Sequence, residues 1–285
     1  MSTKEKKGIL ILSDMEGVAG IADKRLVSPD NVFWEHYGRA LLTEEINVVA
    51  STLYHRGIKR IYLSESHNYG KNTVYKKLFP FITVLPPHSA QSNMHGRELW
   101  DKIYSNSSIS AVILVGFHGM EGSEGFLPHS LDSNIFRSIE VNGKPTGEIG
   151  LFSAIAGSYD IPIIGITGDE AAVKEAKKHM PHISCIVTKK LQDGWLSLVP
   201  IETVYERINQ TISQAVERAS DKSPFKFSSP VTICASLKHK KFLGSLSIKG
   251  DFKIDKDNLK ITISHQNYLD AYDIFWDIYL NIITC

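Results

Sequence analysis

Apolar residues along the chain alternate between two rhythms. Ile9–Leu12 is an unbroken aliphatic run, which predicts a strand over Ile9–Ser13 covered on both faces. From about Val32 to Arg56 the spacing changes to three and four. Leu42, Ile46, Val49 and Leu53 share one stripe, which predicts an amphipathic helix closed by Gly57. IKRIYLSESH, ending near His67, predicts a second strand, and ISAVILVGFHG, ending at His118, a stronger third. SIEVNGKPTG predicts a hairpin, because Asn142-Gly143 tolerates positive φ at both turn positions. A helix over Glu148–Tyr159, the strand IPIIGITGDE, a helix over Glu170–His179, the strand HISCIVTKK and the helix ETVYERINQTISQAVERA follow.

This alternation specifies an α/β fold, a mostly parallel sheet flanked by helices. Ser220–Pro230 is polar and broken by prolines, so it reads as a linker. It divides the chain into an α/β metal-binding catalytic domain, residues 1–219, and a small α+β C-terminal domain, residues 220–285. In the second, VTICASLK, a short strand near Leu246 and LKITI precede a helix over Tyr268–Ile282. Tyr272, Phe275, Trp276 and Tyr279 fall at i, i+3, i+4 and i+7 of that helix. Such a stripe packs on its own subunit's core or joins a subunit contact, and the core reading is favoured.

The formal net charge of +1 over 285 residues gives no bulk attraction for nucleic acid or an anionic membrane. No apolar run is long enough to span a bilayer. The basic N-terminus is followed by only four apolar residues, Ile9 to Leu12, so no secretory signal is expected. Cys185, Cys234 and Cys285 lie far apart, which is neither a disulfide framework nor a paired zinc motif. These features together point to a cytoplasmic protein.

The chemistry concentrates at predicted strand ends. Asp14 and Glu16 follow the first strand and, at i and i+2, point to the same side. Like charges held that close need a cation, a shared proton or a basic partner, unless the segment is a solvated turn. In open α/β sheets ligands gather at the carboxyl ends of strands, where His67 and His118 also fall. Mixed imidazole and carboxylate donors suit zinc, manganese or iron better than calcium or magnesium. His129, in the loop FLPHSL, and Glu148, opening a helix, either join this site or serve as a surface residue and a helix-start acid. His36, His55, His88, His95, His179, His182, His239 and His265 read as non-ligands. GITGDE lacks the glycine pattern of a phosphate loop, and Asp169 is as well suited to cap a helix.

SDMEGVAG, SESH, VGFHG, PHS and NGKPTGEIG, in this order, resemble the zinc D-aminopeptidases typified by DppA of Bacillus. The resemblance runs through about the first two hundred residues, including AGSYDIP and TGDEAAVKEA, and thins in the tail. It implies that Asp14, Glu16, His67, His118 and Glu148 bind two zinc ions (Zn2+) per subunit and that His129 is the catalytic histidine. It also implies hydrolysis, by zinc-activated water, of short peptides with an N-terminal D-amino acid, of the D-Ala-D-Ala type. The assembly implied is a large ring-shaped homo-oligomer, decamer-like, with an internal chamber. One departure is Glu65, where the family often has Asp before Ser-His. Two other readings stand beside this one. The first is another metal-dependent hydrolase, an amidase or a phosphoesterase, for which Arg137 and Lys144 are the nearest cations in sequence. The second is a non-enzymatic assembly protein on the same scaffold.

Overall fold

The computed structural model describes residues 8–68, 70–87, 96–105, 108–244 and 250–284. Its first strand, β1 (Gly8–Ser13), is buried at every position. Ile9 and Ile11 enter one core, Leu10 and Leu12 the other. Because both faces are covered, the run is aliphatic rather than alternating.

The stripe of Leu42, Ile46, Val49 and Leu53 is buried on α1 (Arg39–His55), and Gly57 follows it with φ +85°. The helix is not uninterrupted from Val32, as its pattern predicted. Trp34–Gly38 forms a π-helical turn, where Gly38 packs on the backbone: a Cβ there would stand 1.8 Å from the Leu26 carbonyl oxygen. The chain continues through β2 (Arg60–Glu65), β3 (Ile82–Val84), α2 (Gly96–Tyr104) and β4 (Ile109–Phe117). Next, β5 (Phe136–Val141) and β6 (Lys144–Pro145) form the hairpin, with φ of 52° at Asn142 and 72° at Gly143. Then come α3 (Glu148–Ser158), β7 (Ile163–Asp169), α4 (Glu170–His179), β8 (Ser184–Gln192), β9 (Trp195–Leu198) and α5 (Ile201–Glu217). The chain ends with β10 (Val231–Leu237), β11 (Phe252–Asp255), β12 (Lys260–His265) and α6 (Tyr268–Thr284). The strand expected near Leu246 lies outside the described residues.

The larger sheet has the order β3-β2-β1-β4-β7-β8-β9. Its pairs are parallel except β8 with β9. From β1 the chain moves outward to β2 and β3, then returns to the other side of β1 as β4. That reversal opens a crevice between the ends of β1 and β4, the usual ligand position in such sheets. Helices α1 and α5 cover one face. The other face packs on α2, α3, α4 and α6 and on the second sheet.

The second sheet, β11-β12-β10-β5-β6, is antiparallel. Strand β10 lies between β5 and β12, so segments from both sides of residue 220 share it. The polar stretch 220–230 packs Phe225 and Phe227 against the core. On α6, Tyr272, Phe275, Trp276 and Tyr279 are all buried. The Phe136 ring lies 5.6 Å from those of both Phe275 and Tyr279, so the stripe packs on its own chain. Among the described residues no helix is long and apolar enough to cross a membrane.

Candidate metal centre

Asp14 leaves the end of β1 while still tied to β4. Its backbone N–H donates to the Val115 carbonyl at 2.8 Å, and that of Gly17 donates to Gly116 at 2.8 Å. The approach is close enough to require glycine on both sides. A Cβ on Gly17 would stand 1.8 Å from the Phe117 carbonyl oxygen. Gly116 has φ +76°, and a Cβ on it would stand 2.5 Å from the Asp14 carbonyl oxygen.

A buried polar framework holds this loop from behind. The Lys189 ammonium, from β8, donates to the carbonyls of Glu16 at 2.5 Å and Val18 at 2.8 Å. Glu45, from α1, accepts the Ala19 N–H at 2.7 Å and the Thr167 hydroxyl at 2.5 Å. The Thr167 oxygen in turn accepts the Gly116 N–H at 2.9 Å. Burial pushes the Lys189 ammonium down to about 7 and raises the Glu45 carboxyl. Sequence reasoning passed over these residues. The available signal was an acid, Glu45, beside Leu42, Ile46 and Val49 on the apolar stripe of α1, and a lysine inside an aliphatic strand.

Three histidines face the loop with one nitrogen each. His67 Nε2 lies 2.7 Å from the Val27 carbonyl oxygen, His118 Nδ1 2.9 Å from that of Gly119, and His129 Nδ1 3.0 Å from that of Leu127. A carbonyl only accepts, so each of these nitrogens carries the ring proton when the imidazole is neutral; at His67 the Asn68 side-chain amide, also 2.5 Å from Nε2, then presents its oxygen rather than its NH2. The other nitrogen of each ring then presents a lone pair. Those lone pairs point at carboxylates. His67 Nδ1 lies 3.3 Å from Asp14 Oδ1 and 3.2 Å from Glu16 Oε2. His118 Nε2 lies 3.3 Å from Asp14 Oδ2 and 3.6 Å from Glu148 Oε1. His129 Nε2 lies 3.9 Å from the same Glu148 oxygen, and its ring stacks on that of His118 at 4.1 Å and 10°. Glu148 opens α3, where its Oε1 accepts the Leu131 N–H at 2.8 Å.

All six residues picked from the sequence therefore meet in one place, and all but His129 are buried. The donor set fits a cation. Asp14 Oδ2, Glu16 Oε2 and His118 Nε2 are buried without a hydrogen-bond partner, a costly arrangement unless something positive fills it. Asp14, Glu16 and His118 bring ligand atoms within 4.8 Å of one another, and so do His118, His129 and Glu148. His129 thus stands at ligand distance from the cluster as well as on its rim.

Without a cation, the cluster gathers protons instead. Burial, and then the Glu16 charge, push the Asp14 carboxyl up to about 6. Burial opposes ionisation of Glu16 too, but His67 beside it holds that carboxyl well below its ordinary value. For His118 burial disfavours the charged ring, yet Asp14, Glu148 and Glu16 together raise it to about 9. His67 is raised well above its ordinary value against the same burial, by Glu16 first and then Asp14. Imidazole and carboxylate donors around so strong an attraction for positive charge suit zinc.

Of the other histidines described, His36, His55, His179, His182, His239 and His265 join neither group. His88 and His95 lie outside the described residues. Asp169 caps α4, accepting the Ala172 N–H at 2.7 Å, and its second oxygen accepts the Phe126 N–H at 2.7 Å. The site opens into a cavity of about 500 Å³ whose lining includes Asp14, Glu16, His67, His129 and Glu148.

A parallel sheet with imidazoles and carboxylates at its switch point defines a metallohydrolase-like scaffold, and comparison with known proteins narrows it. The chain belongs to the D-aminopeptidase family of peptidases, whose model matches residues 8–276. The D-aminopeptidase of Bacillus subtilis (strain 168) is 26% identical over 181 residues, 62% of this chain. That match spans 61% of the Bacillus enzyme's length. The solved structure of the Zn-dependent D-aminopeptidase DppA from Bacillus subtilis, a self-compartmentalizing protease, has the same fold. It aligns with a TM-score of 0.86 at 18% identity, covering 98% of each chain. The likeness of fold therefore extends through the C-terminal tail, where the sequence resemblance thins.

Proposed function

We propose that this protein is a zinc-dependent aminopeptidase that removes the N-terminal residue, a D-amino acid, from short peptides of the D-Ala-D-Ala type. In this reading Asp14, Glu16, His67, His118 and Glu148 hold two zinc ions, and His129 is the catalytic residue. The observation that carries it is the convergence of three imidazole lone pairs on three carboxylates, with three buried donor atoms left unpartnered. Zinc, when bound, supplies a Lewis acid and a nucleophilic water at neutral pH.

The chain's own residues supply the rest. The Leu127 carbonyl fixes the proton on His129 Nδ1, so Nε2 is the atom that exchanges a proton with substrate. The His129 side chain is 18% exposed, on the rim of the cavity, where a peptide reaches it. In this reading the substrate's free amine is held at the metal centre, by a metal or by a carboxylate, which confines cleavage to the first peptide bond. Membership in the D-aminopeptidase family supports the preference for a D-residue. The self-compartmentalizing behaviour of DppA supports a homo-oligomer that encloses a chamber; that it is a decamer-like ring acting in the cytoplasm belongs to the proposal.

The phosphoesterase alternative has less support: Arg137 and Lys144 do not line the cavity, whose lysine is Lys24, and the family match is to a peptidase. The test is a release assay on D-alanyl anilide, its N-acetyl derivative and nitrophenyl phosphate. Cleavage of the free-amine anilide alone is expected. Equal cleavage of the acetylated compound would refute the aminopeptidase mechanism, and release from the phosphate alone would favour the phosphoesterase. Elemental analysis should find about two divalent ions per chain. Light scattering that showed an active monomer would refute the ring.

A further inference from the structure

The cavity has two unlike ends. Lys24, on the segment that runs to Val27, lies at one end. That segment abuts the cluster through the Val27 carbonyl and His67. At the other end are Phe152, Trp276, Tyr279 and Ile283. Phe152 sits one turn beyond Glu148 on α3, and α6 brings the other three. The cluster runs between these ends as a chain of near contacts: His67 to Asp14 at 3.3 Å, Asp14 to His118 at 3.3 Å, His118 to Glu148 at 3.6 Å. A cation therefore stands at the His67 end and an apolar wall at the Glu148 end.

Lys24 is available for a ligand. Its acidic neighbour Asp23 is held by the Arg25 guanidinium at 2.6 Å. Among the described residues the Lys24 ammonium enters no ion pair within 4 Å. A lysine on a cavity rim that is bound into no close ion pair suits an anionic group on the bound molecule. On the opposite wall Phe152, Trp276 and Tyr279 show only their edges, and the exposed side chain of Ile283 completes an apolar surface. A volume of about 500 Å³ is ample for a dipeptide with one bulky residue.

We infer that the cavity is a paired subsite for free dipeptides. Phe152, Trp276, Tyr279 and Ile283 receive an apolar side chain on the N-terminal residue, and Lys24 receives the C-terminal carboxylate. The inference rests on the aminopeptidase reading and extends it from D-alanine to bulkier apolar D-residues. It also gives the tail a direct part in substrate choice.

Ile283 and Lys24 are exposed, so substitutions there leave the core intact. The experiment measures kcat and KM on D-Leu-D-Ala, D-Ala-D-Ala and the C-terminal amide of D-Leu-D-Ala. Ile283→Trp fills the apolar end. It should lower kcat/KM for D-Leu-D-Ala on the order of tenfold relative to its effect on D-Ala-D-Ala, the discrimination typical of a shape change in an apolar pocket. Lys24→Met should raise KM for the free dipeptides on the order of tenfold, the loss of one charge-assisted contact, and leave the amide unchanged. If the wild-type protein cleaves the dipeptides but either variant acts equally on all three compounds, the corresponding subsite is refuted. If no dipeptide or anilide is cleaved by the metal-loaded protein, the aminopeptidase reading fails and this inference with it.

Discussion

The ammonium of Lys189 donates to the backbone carbonyl of Glu16 at 2.5 Å, from a position with no exposure to solvent. It therefore acts on the candidate metal centre through the main chain, holding Glu16 in place without touching its carboxylate. Lys189→Met keeps the length of the side chain and removes the donor, leaving the carbonyls of Glu16 and Val18 without it. The variant should fold, because removing a buried charge offsets part of the loss. Its zinc affinity should fall on the order of 10–100-fold, as for other residues that orient metal ligands. Zinc titration by competition with a chromophoric chelator measures this, and unchanged affinity would show that the loop holds its shape without the lysine.

His118 and His129 stack face to face, but they are assigned different work. His118→Ala should lose metal and hydrolysis together. His129→Ala should retain its metal and lose turnover on the order of 10²–10⁴-fold, the usual contribution of proton transfer. Elemental analysis beside steady-state kinetics separates the two. Metal loss in His129→Ala as complete as in His118→Ala would make His129 a ligand, a role its position beside His118 and Glu148 also permits.

Glu175 should set a pH dependence of stability in the metal-free protein. Burial pushes its carboxyl up to about 7, although it accepts the N–H groups of Met120 and Gly147, each at 3.0 Å. Between its ordinary value of 4.5 and about 7, the folded state holds this proton and the unfolded state does not. Stability contributed by the protonated form is full below that window and is lost as pH rises through it. Glu175→Gln removes the titration, so its stability relative to wild type should improve between pH 4.5 and 7. Denaturant unfolding at both limits gives the difference, and a gap that does not change with pH would contradict the assignment.

Glu65 should matter for the loop beyond the site. At the end of β2 it accepts the Lys71 N–H at 2.6 Å, the Thr73 N–H at 2.7 Å and the Tyr75 hydroxyl at 3.1 Å. Glu65→Ala should destabilise the protein by about 1–3 kcal/mol, chiefly through the buried Thr73 N–H left unpaired. Glu65→Asp keeps the carboxylate, is shorter by one methylene and should cost less than Ala. Urea unfolding of both variants tests the order, and equal losses would mean that the contacts are not what holds the loop.

Much of the scaffold was legible in the residues alone. Ile9–Leu12 and the run into Phe117 read as covered strands, because short runs rich in β-branched residues suit a strand buried on both faces. The Asn142-Gly143 turn and the cap at Gly57 followed from the positive φ that those positions adopt. Asp14, His67 and His118 could be marked because each stands where such a strand ends. The π-helical turn before α1 was not legible, since it comes from Gly38 meeting the Leu26 backbone, a contact with no trace in the local pattern.

Convergence belonged to the fold. Only the placing of β1 between β2 and β4 brings Asp14, His67 and His118 together, and only the chain's return through the loop after β4 and into α3 adds His129 and Glu148. The Lys189 contact with Glu16 joins residues 173 positions apart and has no counterpart in spacing. The aromatic stripe of α6 shows the same division. Periodicity made Trp276 and Tyr279 an apolar face, but packing against Phe136 and beside Phe152 turned one edge of that face into a cavity wall. Local pattern reports which side of an element is apolar because burial is a property of each residue in turn. Which distant element meets that side depends on topology, and contacts of that kind exist only once the chain has closed on itself.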